Sequence, residues 1–316
     1  PIQGGPRKAA RRLQLGFAGE NFGYAISLGL PDSSGHFMLP GHSSPIASRF
    51  TLDPWIKRES IWGGPLYRSA SALVDRQGPM IRARAGRQWE VLAQHTSSGD
   101  SLFDRVGNLS SSPEVLHLRE QIRGWRFYDH LRTDSQAPAR RPQLGTRTPV
   151  LHHDGRDLAA ALQTIIEVGD QQALHETISD AFPESRLEID AVPGGLFGVQ
   201  FYQEGLLRPL SAAELSDGTL RYLLLVAALL TPRPPTLMVL NEPETSLHPD
   251  LLPALARLII RASQQCQVWV VSHARRLIAA LQQDPECNCI VLEKQLGQTG
   301  IVGQRMLDEP AWNWPD

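Results

Sequence analysis

The residues best suited to chemistry lie in three short segments in the last third of the 316-residue sequence. Thr236 to Pro249 reads TLMVLNEPETSLHP, a short apolar run that ends in polar groups. Such a run is a buried central strand delivering Asn241 and Glu242 at its carboxyl end, where open α/β sheets place their ligands. Glu242 is suited to act as a general base on water, and Asn241 to orient the water around a metal ion. Upstream, Ser216-Asp217-Gly218 opens an apolar helix. The free backbone N–H groups and the dipole of such a helix end favour a phosphate. Downstream, QVWVVSH closes a second apolar strand with Ser272 and His273, putting an imidazole within reach of a ligand beside Glu242. Each segment also has a plainer interpretation: surface acids after a strand, an ordinary helix cap, and a structural histidine.

The elements that must position these residues alternate over the last 110 or so positions. Thr219 to Leu230 reads as helix, Thr236 to Leu240 as strand and Pro249 to Ser263 as helix. Gln267 to Val271 follows as strand, Ala274 to Gln282 as helix and Cys289 to Glu293 as strand. Strands alternating with helices predict a parallel sheet with both faces covered. The first third is β-rich, with a hairpin over Arg11 to Leu30 and short strands near Ile61 to Leu73, Met80 to Ala85 and Trp89 to Leu92. Residues 31–54, rich in Ser, Gly and Pro, read as a loop. From Pro113 the period becomes helical through PEVLHLREQIRGWRFYDHLR, and an Arg/Pro-rich connector covers Ser135 to Val150. Two helices (Asp157 to Val168 and Asp170 to Phe182) precede a strand pair around Pro193-Gly194. The organisation expected is a β-rich lobe over 1–112, a helical insert with the connector over 113–185, and the site-bearing lobe over 186–316.

Composition sets the outer bounds. At 41% hydrophobic and 20% charged, the chain can bury a core and is not a disordered protein. Its longest strongly apolar run, Leu223 to Leu230, is far short of the roughly 20 residues of a bilayer span. No charged-then-apolar leader opens the sequence, and three cysteines suit a reducing compartment, so a cytoplasmic protein without membrane association is expected. The net charge of −2 conceals an asymmetry: residues 1–150 carry +8 and residues 151–316 carry −10. A basic first half suits a polyanion, and intramolecular pairing is the competing explanation. Arg119 to Arg147 holds seven Arg with Trp125, Phe127 and Tyr128 interleaved, a mixture that can grip phosphates and stack on bases or that can be core. Cys266, Cys287 and Cys289 lack the paired spacing of a zinc site. His152-His153-Asp154 reads better as a solvated loop than as a metal site, and acids do not cluster as a nuclease requires.

Taken in order, LSDGT, VLNEPE, SLHP and the strand-terminal histidine resemble the ABC-type ATPase head in its SMC/RecF-like branch, over about residues 205–295. The resemblance implies an α/β fold, a P-loop NTPase-like sheet with an antiparallel β-rich lobe and a helical insert. It makes LSDGT the signature motif, VLNEPE the Walker B strand, Ser246-Leu247-His248-Pro249 the D-loop and His273 the switch histidine. Two such heads sandwich two ATP molecules. Glu242 would activate water, His273 would contact the γ-phosphate, and Ser216 and Gly218 would reach the nucleotide of the partner head. Ser246 and His248 would link the two sites. ATP and Mg²⁺ are the cofactors implied, with Asn241 acting on the metal through water. The partners implied are a second copy of the chain, DNA along the Arg-rich first half, and a nuclease or other protein. DNA repair or defence against foreign DNA is the setting expected.

Three departures qualify the match. Asp217 stands where many members have Gly, which brings a negative charge near phosphate. Asn241 replaces the usual Asp, so the metal gains an amide but no charge. The phosphate-cradling G-x-x-x-x-G-K-[ST] does not occur, and none of Lys8, Lys57 and Lys294 sits in such a context. With Pro1 opening the sequence, a missing leading segment is the expectation, and inactivity without it. The alternative is a non-hydrolysing regulatory or scaffold module, against which intact Glu242 and His273 count.

Overall fold

Alternation in the first segment folds as expected: β1 (Arg12–Ala18) and β2 (Phe22–Gly29) pair antiparallel, Leu15 opposite Ile26. The computed structural model describes residues 12–31, 36–37, 46–47, 52–105, 113–295 and 298–303. The chain divides into two units, Pro1–Ile122 with Ile290–Asp316, and Arg123–Cys289. In the first, β1 and β2 are followed by the short pair β3 (His36–Phe37) and β4 (Ile46–Ala47), and then by β5 (Trp55–Gly63) and β6 (Ala72–Gln77). After them come β7 (Met80–Ala85), β8 (Gln88–Ala93) and the helices α1 (Leu102–Arg105) and α2 (Pro113–Gly124). Six of these strands form one antiparallel sheet in the order β1-β2-β5-β6-β7-β8. Most of the segment 31–54 that reads as a loop, and Lys8, lie outside the described residues.

A charged network sits inside this unit. Glu59 and Arg76 are fully buried and paired at 2.9 Å. Glu59 also accepts hydrogen bonds from Tyr24 Oη at 2.8 Å, Ser101 Oγ at 2.7 Å and the Leu102 N–H at 2.9 Å. Arg76 donates onward to the carbonyls of Gly78, Ser97 and Asp100. Neighbouring Asp75 takes Arg58, Ser60 and Arg82. With every polar atom of the central pair engaged, the desolvation penalty is offset, which is the condition a buried ion pair must meet.

The second unit carries the candidate site. It contains β9 (Arg126–Tyr128), β10 (Gln143–Leu144), α3 (Leu158–Val168), α4 (Gln171–Ala181), β11 (Arg186–Val192) and β12 (Leu196–Tyr202). Then come β13 (Leu210–Ser211), α5 (Asp217–Leu229), β14 (Leu237–Asn241), α6 (Leu252–Ser263), β15 (Gln267–Val271) and α7 (Arg275–Leu281). Strand β12 pairs antiparallel with β10, β11 and β13. A separate parallel sheet runs β15-β14-β9. Helix α5 is buried from Leu220 to Leu229 because it is apolar all round and packs against α3 and α6. Gly155 allows its close approach: at φ 72°, an added Cβ there would lie 2.3 Å from Leu224.

Three expectations need correction. The helix beginning at Pro113 stops at Gly124, and Arg126–Tyr128 is strand, because Phe127 and Tyr128 pair with Val239 and Leu240. The parallel sheet has only one covered face among the described residues. Met238, Leu240 and Tyr128 face the core, while Phe127, Trp269 and Val271 are more than half exposed. The strand expected at Cys289 to Glu293 is instead β16 (Leu292–Gln295), which pairs antiparallel with β17 (Gln298–Ile301) in the first unit. No helix among the described residues is long and apolar enough to cross a membrane. Replacing Arg76 by Met should cost about 3–5 kcal/mol by stranding the buried Glu59 carboxylate, read as a lower midpoint in denaturant unfolding.

Candidate functional site

Helix α5 begins where it does because Ser216 caps it: the hydroxyl accepts from the Thr219 N–H at 3.1 Å and lies 2.9 Å from Thr219 Oγ1. Asp217 and Gly218 therefore form the first turn, two residues earlier than the apolar pattern alone indicates. The Asp217 charge is countered, since Arg140 Nη2 donates to its Oδ1 at 2.6 Å. The Arg140 side chain, only 10% exposed, also donates to the carbonyls of Leu215 at 2.7 Å and Thr133 at 2.8 Å. It thus ties the loop before α5 to the loop after β9.

One turn further, buried Arg221 reaches the ends of two strands. Its guanidinium donates to the carbonyls of Glu242 at 3.0 Å, Leu131 at 3.2 Å and Pro243 at 3.4 Å. Burial lowers its pKa, and the nearby carboxylates of Glu244 and Glu242 act in the opposite direction. Strand β14 delivers Asn241 and Glu242 at its carboxyl end, as expected, and the Glu242 N–H extends the ladder by donating to the Val271 carbonyl at 2.8 Å. Glu242 then turns sharply, with φ 44° and its carbonyl accepting from the Thr245 N–H at 3.1 Å. Ser246 also has a left-handed backbone, φ 67°. Non-glycine residues in this region carry local strain, a feature concentrated at functional sites.

The predicted residues gather in two neighbourhoods of this unit. In one, His273 Nε2 lies 3.8 Å from Glu242 Oε1, beside Asn241 at the carboxyl ends of β14 and β15, with the imidazole 86% exposed. In the other, Ser216, Gly218, Ser246 and His248 line a cleft of about 640 Å³ with Thr219 and Asp250. Gly218 packs so closely there that an added Cβ would lie 2.6 Å from the Ser246 carbonyl. His248 caps the 3-10 turn Pro249–Leu251 through Nδ1, which accepts from the Asp250 N–H at 3.3 Å. Glu242 and His273 are not among the residues lining this cleft.

Three further residues at these sites escape sequence reasoning. Glu244 accepts three hydrogen bonds on Oε1 from the segment that carries His273. Nothing in its type or spacing separates it from a surface acid. Arg221 left a signal, a lone charge within an apolar helix, and such a residue is rarely buried without partners. Arg140 left none, standing in a connector with Arg141 and Arg147. Elsewhere, the Arg-rich stretch is largely engaged internally. Arg126 donates to the carbonyls of residues 123–125, Arg132 pairs with Asp134, and Tyr128 is buried with its hydroxyl on the Leu151 carbonyl. His152, His153 and Asp154 bring their polar atoms within 4.8 Å of one another, but the Arg156 guanidinium already lies against His152 and Asp154.

Residues 86–279, more than half of the chain, match the family described as AAA domain, putative AbiEii toxin, Type IV TA system, and the chain belongs to that family. No curated protein matches it. Similar solved structures are SMC heads. One is the Smc head domain with a coiled coil and joint from Pyrococcus yayanosii, 14% identical with a TM-score of 0.37, covering 46% of this chain. The match spans only 28% of that protein's own length. A second is the SMC head domain from Thermotoga maritima, 13% identical with a TM-score of 0.37, covering 92% of this chain and 98% of the other. A third is the Smc head domain bound to the C-terminal domain of ScpA from Pyrococcus furiosus, 8% identical with a TM-score of 0.39, covering 89% and 77%.

Because the atom facing Gly218 belongs to backbone, Gly218→Ala should destabilise the protein by about 1–3 kcal/mol. Chemical denaturation checks the loss, and faster amide exchange at Leu247 would locate it in the facing turn.

Proposed function

We propose that this protein binds and hydrolyses ATP as an ABC-type, SMC/RecF-like head that dimerises on nucleotide. The observation that carries the proposal is the Glu242–His273 approach of 3.8 Å at the ends of adjacent parallel strands. Glu242, half exposed on a fixed turn, takes the proton of the attacking water. The water oxygen bonds to the γ-phosphorus as the bond to the bridging oxygen breaks, giving ADP and phosphate. His273 donates to a γ-phosphate oxygen. The α5 amino terminus opens on a cleft that Glu242 and His273 do not line. That separation suits a shared site, in which Ser216 and Gly218 serve the nucleotide of the partner head. Ser246 and His248, on the same cleft, would pass the state of one site to the other.

The residues present fit a magnesium–nucleotide complex in part. Asn241 offers an amide oxygen at the strand end, able to order metal-bound water but not to add charge. When bound, Mg²⁺ would neutralise phosphate charge. The missing carboxylate, together with the absence of a G-x-x-x-x-G-K-[ST] phosphate loop from the sequence, also favours a second reading, a non-hydrolysing scaffold that keeps the dimer geometry.

DNA is the proposed polyanion, in repair or in defence against foreign DNA, with a nuclease or another protein as a further partner and the cytoplasm as the setting. The basic surplus of residues 1–150 supports it. Arg58, Arg76 and Arg82 are held by Glu59 and Asp75, and Arg140 and Arg147 pair with Asp217 and Glu167 of the second half, so about five of the eight surplus charges stay outside these pairs.

In the full-length protein, Glu242→Gln should slow phosphate release by about 10²–10⁴-fold while ATP-dependent dimerisation in sedimentation persists. Undiminished turnover would remove Glu242 as the base. An absence of hydrolysis in the full-length protein, with dimerisation kept, would favour the scaffold. Binding to duplex DNA should weaken steeply between 50 and 200 mM salt, as counterion release requires; salt-insensitive or absent binding would assign the basic half to protein contacts.

A further inference from the structure

We infer that Glu244 is the positioning residue of the switch segment: it holds His273 at its working distance from Glu242. The inference rests on the hydrolysis proposed above for that pair. Its basis is one carboxylate oxygen with three donors. Glu244 Oε1 accepts from Ser272 Oγ at 2.7 Å, the His273 N–H at 3.0 Å and the Ala274 N–H at 3.1 Å. Ser272 Oγ also lies 3.1 Å from the Ala274 nitrogen, which closes a compact ring of polar contacts around that oxygen.

The exposure of His273 makes this anchor decisive. An imidazole 86% exposed gains little orientation from packing, so its place is set by its backbone. That backbone has just left β15 and has not yet entered α7, whose first residue is Arg275. The segment therefore falls outside both the sheet ladder and the helix, and Glu244 supplies the acceptor its N–H groups need.

Glu244 is itself fixed relative to Glu242. The two stand on one tight turn, in which Thr245 N–H donates to the Glu242 carbonyl at 3.1 Å and Leu247 N–H to the Glu244 carbonyl at 3.0 Å. Arg221 holds the same turn from α5 through the Glu242 and Pro243 carbonyls. Base and anchor therefore move together, and the anchor carries the histidine with them.

The other oxygen, Oε2, is buried and has no hydrogen-bond partner. Leaving a carboxylate oxygen so placed is unfavourable, and two features offset it: the three donors on Oε1 and the positive field of nearby Arg221. A neutral side chain lacking the acceptor would relieve the orphan oxygen and lose the switch segment.

The test compares Glu244→Ala with Glu244→Gln, which keeps an acceptor oxygen. In Glu244→Ala, amide exchange at His273 and Ala274 should quicken at least about tenfold, and turnover should fall about 10²-fold, the usual scale for a misplacement near 1 Å. ATP affinity should stay within about threefold of the unmodified protein, since uniform binding is not what is lost. Glu244→Gln should restore most of the protection and of the rate. The decisive comparison is a double-mutant cycle with His273→Ala. The double variant should be no slower than His273→Ala alone, because the anchor acts only through the histidine. Multiplying losses would overturn the inference and leave Glu244 a general support of the fold, as would unchanged exchange at residues 273 and 274. If the full-length protein hydrolyses no ATP, the proposed function fails, and the exchange measurements still decide whether Glu244 anchors the segment.

Discussion

A parallel strand that stops inside a protein leaves carbonyl groups pointing where no further strand accepts them, and a buried carbonyl without a donor is costly. In the second unit the guanidinium of Arg221 supplies the donors. It bonds the carbonyls of Leu131, just beyond β9, and of Glu242 and Pro243, at the end of β14. Because Arg221 is part of α5, the helix that fills the core also fixes where the strands end. The placement of Asn241, Glu242 and the turn that follows depends on this contact. A lysine could not replace it, since one ammonium cannot span three carbonyls with the geometry of a planar fork.

The same device for handling charge recurs in both units: a carboxylate sits beside an arginine that also bonds backbone carbonyls. Arg76 serves Glu59 in this way, Arg140 serves Asp217, and Arg221 lies close to Glu242 and Glu244. With 28 Arg and three Lys, the composition suits this use, because only guanidinium combines a persistent charge with several directed donors. The Arg140 contact also removes the objection that Asp217 puts a bare negative charge at the helix end proposed to meet phosphate. The charge is present, and it is paired within 2.6 Å.

Much of the second unit was legible in the sequence because its elements obey local rules. β14 is a short apolar run, α5 has a serine cap and no breaker beyond its first turn, and β11 and β12 flank a Pro-Gly turn. What the sequence concealed depends on distance. Arg126–Tyr128 looks helical until Val239 and Leu240 are beside it, since tertiary pairing outweighs a short periodic pattern. The bare face of the parallel sheet was equally hidden, because strand residues apolar on both sides predict burial without naming what provides it. At the site, Glu242 and His273 were legible as residues at strand ends. Glu244 was not, since its role lies in contacts with a segment 28 to 30 residues away.

The left-handed turns at Glu242 and Ser246 carry a consequence for how the sequence can vary. At φ 44° and 67°, glycine would fit the backbone with less strain than the residues present. Selection for folding alone would therefore drift toward glycine at both positions, and doing so would erase a carboxylate and a hydroxyl. Under the proposed function, these are two places where a ranking of substitutions by thermal stability and a ranking by activity should run in opposite directions. Design guided by stability alone would find gains there, and would dismantle the proposed site while the fold improved.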